Sequence, residues 1–224
     1  MRLFFAPGAC SIGIRFLLEE IGKPFDTVRL NFREGDQFKP EYVAINPKSK
    51  VPALQREDGS VLTEYPVVAL WLARTNPDRN LLPPDLEGEI QTLEMLDYVV
   101  STIHMQGLSR MLRPAKFAVN ETDHQAVVSA GREIVVKAYH IVADRLGERP
   151  FIMGNNLTIA DSALFYTLFW AIDRQKVDLP KNVSAYYARL KSRATAQKCF
   201  ADEGIVVGCA KSDPRQLFRA PQTS

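Results

Sequence analysis

A proline-rich segment at residues 74–86 (RTNPDRNLLPPDL) divides the chain into two parts with different sequence patterns. Its three prolines lack the backbone N–H, so neither a helix nor a strand is expected to continue through the segment. The chain has 224 residues, which suits one large domain or two small ones. We therefore predict two domains, at residues 1–80 and 87–205, followed by a C-terminal tail at residues 206–224.

The part before this segment alternates between strand-like and helix-like patterns. Strands are predicted at residues 2–6, 25–30, 51–54 and 60–62, and helices at residues 12–21 and 66–73. The first helix is followed by Gly22, a typical capping residue, and Asp58-Gly59 is a strong turn signal between the last two strands. This order predicts a small α/β domain built on one mixed sheet.

The part after the segment is helical almost throughout. Apolar residues recur every three or four positions from Ile90 to Met111 and again from Val127 to Ile141, which is the period of an α-helix. Thr158 and Asp161 form a capping box at the start of a further buried helix, a feature that indicates stability rather than chemistry. The predicted fold class is an α/β domain followed by an all-α domain.

Composition argues against several classes of protein. The chain has 28 Lys and Arg against 26 Asp and Glu, a formal net charge of +2, whereas a dedicated nucleic-acid binder is usually strongly basic. No apolar run reaches the ~20 residues that span a bilayer, and Pro7 interrupts the apolar N-terminus too early for a signal peptide. The three cysteines form neither a disulfide framework nor a metal-binding spacing. We expect a cytoplasmic protein with reduced thiols, no metal, and no nucleic-acid or membrane partner.

Cys10 has the setting of a reactive cysteine. It follows the first strand and the Pro7-Gly8-Ala9 turn, and it lies at the first turn of the next helix. Free N–H groups and the helix dipole at that end favour the thiolate over the thiol. The alternative is a small buried filler, the role of most free cysteines. No Cys-x-x-Cys follows, which argues against dithiol chemistry, and Ser11 offers a hydroxyl at the same helix end.

His104, one of three histidines, lies on the predicted helix after the proline-rich segment. Asp97 and Ser101 precede it by seven and three residues, a spacing that places all three on nearly one side of an α-helix. A polar stripe on a helix otherwise built for burial indicates the lining of a cleft. The alternative is an exposed or internally paired stripe without a functional role.

A second stretch, at residues 45–54 (INPKSKVPAL), is suited to pairing with an extended ligand. Pro52 lacks an N–H and is therefore expected at an edge of the sheet, where Val51 offers its backbone to the ligand. The bond between them is a candidate cis peptide. Further along, Glu64 and Tyr65 lead into a helix whose free amides can hold a carboxylate.

Together these motifs resemble the glutathione S-transferase superfamily and, within it, the bacterial beta class. The resemblance covers residues 1–205 and rests on four motifs in matching order: residues 7–11 (PGACS), 45–54 (INPKSKVPAL), 58–64 (DGSVLTE) and 151–161 (FIMGNNLTIAD). The likeness to the beta class rests mainly on Cys10 and His104. The resemblance implies a thioredoxin-like N-terminal domain, an all-helical C-terminal domain and a homodimer.

The resemblance also implies roles for individual residues around the sulfur of glutathione. Cys10 corresponds to the residue that faces this sulfur, and His104 to its neighbour from the helical domain. Val51 corresponds to the backbone partner of the cysteinyl unit, and Pro52 to the family's cis-proline. These four residues are therefore expected to meet at one site.

The remaining glutathione contacts implied by the resemblance include two departures from the family pattern. Glu64 and Tyr65 correspond to the γ-glutamyl anchors, but Tyr65 stands where the family has a small residue, commonly Ser or Gly. The loop at residues 31–34 lacks the lysine of the beta class, and Arg33 is the expected substitute. Asp97 corresponds to a polar residue that reaches the site of the partner subunit.

The leading hypothesis is a detoxification enzyme that adds the thiolate of glutathione, its co-substrate, to a small hydrophobic electrophile. Cys10, Ser11 and His104 are the expected catalytic residues. The acceptor pocket is expected near Leu108, Met111 and Phe117. Two alternatives stay open: thiol–disulfide exchange through a mixed disulfide at Cys10, and a non-catalytic glutathione-transferase-like binding protein or scaffold, which Tyr65 favours.

Overall fold

The computed structural model describes residues 1–206 of the chain. Its N-terminal part contains, in order, β1 (Arg2–Phe5), α1 (Ser11–Ile21), β2 (Asp26–Arg29), α2 (Pro40–Val43), β3 (Ala53–Gln55), β4 (Val61–Thr63) and α3 (Tyr65–Arg74). Its C-terminal part contains α4 (Leu86–Asp97), α5 (Ser109–Leu112), α6 (His124–Leu146), α7 (Ile159–Leu168), α8 (Lys181–Ser192) and α9 (Ala194–Glu203). Apart from Val206, the predicted tail lies outside the described residues, and so does Cys209.

The strands of the N-terminal part form one mixed sheet in the order β2-β1-β3-β4. The central strand β1 runs parallel to β2 and antiparallel to β3, and β3 and β4 form an antiparallel hairpin. The turn of this hairpin is Asp58-Gly59, as predicted. The mixed sheet is confirmed, and each predicted strand is present with its ends shifted by one or two residues.

The predicted edge position of Pro52 is wrong. Strand β3 lies between β1 and β4, so it is an inner strand of the sheet. It begins at Ala53, which pairs with both Phe4 and Thr63. Pro52 therefore precedes the ladder, and its missing N–H removes no bond from the sheet.

The proline-rich segment carries one short 3-10 turn, Pro77–Arg79, before α4 begins. The Asp85 carboxylate accepts a hydrogen bond from the Gly88 N–H at 2.8 Å and caps that helix. One apolar cluster continues from the N-terminal part into the helical part, with the rings of Phe16 and Phe165 centred 4.7 Å apart. The division into domains at residues 1–80 and 87–205 stays a prediction.

The helical part is all-α, as predicted, but two of its helices change pitch. Wider, π-type turns continue α4 over Tyr98–Leu108 and α7 over Phe169–Arg174. Such turns bond residue i to i+5 and are frequent at functional sites. They also shift the side of the helix on which each following residue lies. Within residues 1–206, no helix is both long and apolar enough to cross a membrane.

The capping box at the start of α7 is confirmed. The Asp161 carboxylate accepts hydrogen bonds from the Thr158 N–H at 2.7 Å and from the Thr158 hydroxyl at 2.8 Å. The same carboxylate accepts from the Ile152 N–H and the Tyr186 hydroxyl. Asp161 therefore joins the loop before α7, the start of α7 and α8 at one buried point.

Candidate active site

The loop between β1 and α1 places Cys10 at the meeting point of the two parts of the chain. Cys10 is the residue immediately before α1 and is half-buried. Its thiol donates a hydrogen bond to the Val51 carbonyl, with Sγ and O 3.3 Å apart. The Val51–Pro52 peptide bond is cis, as predicted. Cys10 and Val51 are thus brought together, as the sequence motifs imply.

The pKa of Cys10 moves in the direction opposite to that expected from its place at a helix end. Burial raises the pKa of this thiol to about 12, while the Arg113 charge and the backbone N–H groups of Cys10 and Ser11 lower it by less. The predicted effect of the helix end is present but smaller than the cost of removing a thiolate from water. At neutral pH Cys10 is therefore a thiol in the ligand-free protein.

The Ser11 side chain is directed into the protein rather than toward an open site. It is fully buried, and its hydroxyl lies 3.4 Å from both the N and the O atoms of Ala6 at the end of β1. Its position indicates a role in joining α1 to the sheet. The catalytic role predicted for Ser11 is not supported by this placement.

Glu64 and Tyr65 start α3 on the side of the sheet where Cys10 lies. Glu64 has a φ of 67°, and its carboxylate pairs with Lys48 at 2.8 Å. Its negative charge raises the pKa of Cys10, in addition to the larger effect of burial, so the two groups lie close enough to interact electrostatically. The N–H of Tyr65 belongs to the first turn of α3, where the helix itself provides no partner.

The side chain of Tyr65 does not occupy the site. It is buried, and its hydroxyl lies 2.8 Å from the Ser162 hydroxyl on α7, within hydrogen-bonding distance. The added bulk at this position therefore fills the contact between α3 and α7.

His104 approaches from the π-type segment after α4. It is buried, and its Nδ1 lies 3.1 Å from the Tyr166 hydroxyl. The Trp170 ring stands edge-on to the imidazole, with centroids 4.8 Å apart. Burial lowers the pKa of His104 to about 3, with smaller contributions from the positive charges of Arg113 and Lys50. The imidazole is therefore neutral at physiological pH and can act through a hydrogen bond but not through charge.

The predicted polar stripe is not formed. Asp97 is exposed at the end of α4, whereas His104 is buried, because the π-type turns begin between them at Tyr98. A seven-residue spacing no longer corresponds to two turns once the pitch has changed. Arg33 is also exposed, and its backbone N–H donates to the Asn31 side chain. The glutathione contacts expected of Asp97 and Arg33 stay predictions.

Arg113 is a site residue that the sequence did not single out. It follows α5, and its positive charge lowers the pKa of both Cys10 and His104, so it lies close enough to act on each. Burial lowers the pKa of Arg113 itself, but the guanidinium stays charged at neutral pH. Lys116, just beyond it, is also influenced by this charge. The sequence contains one signal that could have identified Arg113: a group of basic residues follows the helix that carries His104.

The three residues expected at the acceptor pocket are apolar, and the pocket itself stays a prediction. Leu108 and Met111 are buried, and the Phe117 ring is 41% exposed with the Arg110 guanidinium over its face at 4.7 Å. Surface cavities of about 270 and 320 Å³ lie elsewhere, beside Arg193 and Lys198. Within residues 1–206, no cluster of three or more His, Cys, Asp or Glu side chains is placed to hold a metal ion.

The fold and the site together define a two-part protein in which an α/β domain presents a thiol beside a cis-proline and a helical part covers it. Residues 8–75 match the family described as Glutathione S-transferase, N-terminal domain, and residues 125–189 match Glutathione S-transferase, C-terminal domain. The chain is 33% identical over 213 residues to Glutathione S-transferase GstA of Escherichia coli O157:H7, covering 92% of this chain and 100% of that protein. The chain belongs to the glutathione S-transferase family, whose members are enzymes.

Solved structures with similar folds include those of two bacterial proteins. A glutathione transferase homologue from Sulfitobacter, crystallised with bound glutathione, superposes with a TM-score of 0.81 and 27% identity, covering 92% of this chain and 98% of that one. A bacterial beta-class glutathione S-transferase from Sphingomonas chungbukensis gives a TM-score of 0.77 and 27% identity, covering 92% of this chain and 100% of that one. The glutathione transferase fold predicted from the sequence is confirmed.

Proposed function

We propose that this protein is a glutathione transferase of the beta class that joins the thiolate of glutathione to a small hydrophobic electrophile. The observation that carries the proposal is the Cys10 thiol held 3.3 Å from the Val51 carbonyl, where the charges of both Arg113 and Glu64 act on it. The glutathione bound to the Sulfitobacter homologue supports the same ligand here.

In this function the N-terminal domain positions glutathione. The Val51 backbone pairs with the cysteinyl unit, and the Tyr65 N–H at the start of α3 receives the γ-glutamyl carboxylate. The Glu64 carboxylate faces the ammonium group of the same unit, where it is attracted by the positive charge. Extended pairing along Val51 directs the sulfur of glutathione toward Cys10.

The chemical step requires the thiol of glutathione to lose its proton and its sulfur to reach the acceptor. Cys10, held as a thiol by its burial, donates a hydrogen bond to the glutathione thiolate. The nearby charge of Arg113 stabilises the same anion, and neutral His104 positions it without adding charge. The proton leaves to solvent, and the thiolate then forms a carbon–sulfur bond to the electrophile as the bond to its leaving group breaks, which for an activated aryl halide releases halide to solvent. Leu108, Met111 and Phe117 form the apolar side against which that electrophile packs.

A covalent role for Cys10 is less favoured by its surroundings. Thiol–disulfide exchange requires the attacking cysteine to be a thiolate, and a pKa of about 12 leaves almost none at neutral pH. Mass spectrometry of the protein incubated with oxidised glutathione tests this alternative. An adduct on Cys10 that a reductant removes would favour exchange over conjugation.

The primary test is calorimetric titration with glutathione, followed by a conjugation assay with an activated aryl halide. We expect binding at millimolar glutathione or below, and product only when both substrates are present. No detectable binding at millimolar glutathione would remove both enzymatic functions and leave a scaffold as the remaining reading.

Substitutions of Cys10 and His104 test their roles. We expect Cys10→Ala to lower kcat/KM about 10-fold or more, since it removes a hydrogen bond to an anion in a poorly hydrated site. His104→Ala is expected to lower it less, because the neutral imidazole adds no charge. Steady-state kinetics with glutathione varied checks both. Full activity in Cys10→Ala together with inactive His104→Ala would contradict the assigned roles.

Arg113 is expected to set the acidity of bound glutathione. Arg113→Gln removes the positive charge that acts on Cys10 and His104, so the pKa of the glutathione thiol in the complex should rise by about one unit. Thiolate absorbance of the binary complex, followed against pH, measures this value. Lys137→Gln, at an exposed position on α6, is the matched control and should leave it unchanged. An unchanged thiol pKa in Arg113→Gln would exclude the electrostatic role.

A homodimer is part of the proposal. Val67 on α3 is 49% exposed and Ile90 on α4 is 52% exposed, and a bidentate Arg74–Glu89 pair joins these two helices. Such an apolar face suits an interface between copies, from which Asp97 reaches the site of the partner subunit. Sedimentation should give a dimer for the wild type and a monomer for Val67→Glu. A monomeric wild type would contradict this.

The domain boundaries and the cellular location belong to the same proposal. We assign residues 1–80 to glutathione binding and residues 87–205 to the acceptor, because Val51 and Glu64 lie in the first range and His104 and Phe117 in the second. The proposed conjugation of electrophiles gives the protein a role in detoxification. The need for glutathione in its reduced form favours a cytoplasmic location. Cell fractionation with detection of the protein tests the location.

A further inference from the structure

The two backbone polar groups of Gly8, two residues before Cys10, are both bound by side chains from the helical part of the chain. Its N–H donates to the Glu203 carboxylate at 2.6 Å, and its carbonyl accepts from the Trp170 indole N–H at 2.8 Å. Glu203 is 2% exposed and Trp170 is 4% exposed, so neither bond competes with bulk water. A loop that carries a candidate catalytic residue is therefore fixed by two side chains from outside its own domain.

The backbone of Gly8 is suited to this arrangement. It has a φ of +67°, which glycine adopts without steric cost. A Cβ at this position would come within 1.9 Å of the Arg174 guanidinium. The helical part thus packs directly onto the Gly8 backbone, leaving no room for a side chain.

Trp170 also contacts the other side of the active site. Its indole ring stands edge-on to His104, at 4.8 Å and 82°, and to Tyr166, at 5.1 Å. One side chain therefore touches both His104 and the loop that carries Cys10. A movement of Trp170 changes the separation of the two.

We propose that Trp170 and Glu203 are positioning residues, which bind the carbonyl and the N–H of Gly8 in its two flanking peptide units and thereby fix the Cys10 sulfur relative to Val51 and His104. The inference rests on the proposed function of the Cys10 site and adds that the helical part sets the position of the thiol donor. Conjugation depends on such positioning because the two sulfur atoms must stay within hydrogen-bonding distance while the acceptor binds.

The charge of Glu203 makes this contact sensitive to pH. Burial raises the pKa of Glu203 to about 7, against the smaller opposing effects of the Gly8 N–H and of Arg15, Arg174 and Arg29. Cys199, on the same helix, also faces this carboxylate. Above about pH 7 the carboxylate accepts the Gly8 N–H as a charged partner, and below it as a weaker neutral one. The loop is therefore held more firmly as the pH rises through neutrality.

Trp170→Phe and Glu203→Ala test the two contacts separately. Trp170→Phe keeps an aromatic ring against His104 but removes the donor to Gly8. In both variants we expect kcat for conjugation to fall about 10-fold, and KM for glutathione to change less than about twofold, because the loss concerns position rather than binding. Alkylation of Cys10 by iodoacetamide in the absence of glutathione, followed by peptide mass spectrometry, should become severalfold faster.

Tyr186→Phe is the matched control. It removes a buried hydrogen bond of 2.5 Å to Asp161 in the same helical part without touching Gly8. It should lower thermal stability while leaving kcat and the alkylation rate as in the wild type. Unchanged kcat together with an unchanged alkylation rate in both Trp170→Phe and Glu203→Ala would overturn the proposal.

Glu203→Gln distinguishes a role of the Glu203 charge from a purely structural role, because only the former predicts a pH-dependent loss of kcat. It keeps the shape and an acceptor oxygen but cannot ionise, so it should match the wild type at about pH 6 and fall severalfold below it in kcat at about pH 8. A constant ratio of the two kcat values between about pH 6 and about pH 8 would overturn the role of the charge.

If the wild type conjugates no electrophile, the proposed function fails. The alkylation rates then decide the positioning role alone, a faster rate supporting it and an unchanged rate overturning it.

Discussion

Replacing Asp161 by alanine is expected to lower the free energy of unfolding by about 3–5 kcal/mol, because several buried donors lose their acceptor and each such loss costs about 1–3 kcal/mol. The Asp161 carboxylate is fully buried and accepts four hydrogen bonds. The donors are the Ile152 N–H, the N–H and hydroxyl of Thr158, and the Tyr186 hydroxyl. In the alanine variant these donors are left buried without an acceptor, which is why the loss exceeds that of a single helix cap.

Denaturant unfolding followed by circular dichroism measures this loss. Asp178→Ala, at an exposed position just before α8, is the matched control and should change the free energy of unfolding by less than about 0.5 kcal/mol. Asp161→Asn keeps an acceptor oxygen and should fall between the two. A loss below about 1 kcal/mol in Asp161→Ala would mean that water satisfies the network after the side chain is removed.

Gly13→Ala is expected to weaken both stability and conjugation. A Cβ at Gly13 would lie 2.7 Å from the Ser162 carbonyl oxygen, 2.3 Å from the Tyr65 hydroxyl and 2.8 Å from the Tyr166 ring. Alanine normally favours a helix over glycine by up to about 1 kcal/mol, but here α7 would have to move away from α1. Overpacking of this kind costs about 1–3 kcal/mol.

The activity of Gly13→Ala should fall for a reason separate from stability. Tyr166 holds the imidazole of His104 through its hydroxyl, so a displaced Tyr166 moves His104 relative to Cys10. Kinetics below the unfolding transition would show the fall in kcat, and a melt would show the loss of stability. Adding Tyr65→Phe removes one of the clashing atoms and should restore part of both. A variant as stable and active as the wild type would mean that the two helices separate without cost.

The N-terminal half of the fold could be read from local sequence signals because its elements are short and clearly punctuated. Pro7-Gly8 ends the first strand, and Asp58-Gly59 joins the last two. The helix α2 at Pro40–Val43 was not predicted, since four residues are too few for a helical period to show. The inner position of β3 was also missed, because it depends on which strands pair.

The site was predictable where it depends on local motifs and not where it depends on pitch or burial. The resemblance of two motifs to the glutathione transferase family implied that Cys10 and Val51 share one site, and the fold brings the two residues together. It could not place Asp97 relative to His104, because π-type turns begin between them. The raised pKa of Cys10 and the effect of the Arg113 charge on it depend on how deeply each group is buried in the folded protein. The spacing of residues along the sequence does not contain this information.

The burial that keeps Cys10 protonated has a consequence for how the protein survives its own substrates. Thiolates, rather than thiols, are attacked by alkylating agents and peroxides. An enzyme that collects electrophiles exposes any ionised cysteine of its own to each of them. With a pKa of about 12, Cys10 can donate a hydrogen bond to a neighbouring sulfur while staying a poor nucleophile itself. In the proposed function the protein thereby discriminates between two chemically similar thiols, leaving the replaceable one to react and protecting the one encoded in its chain.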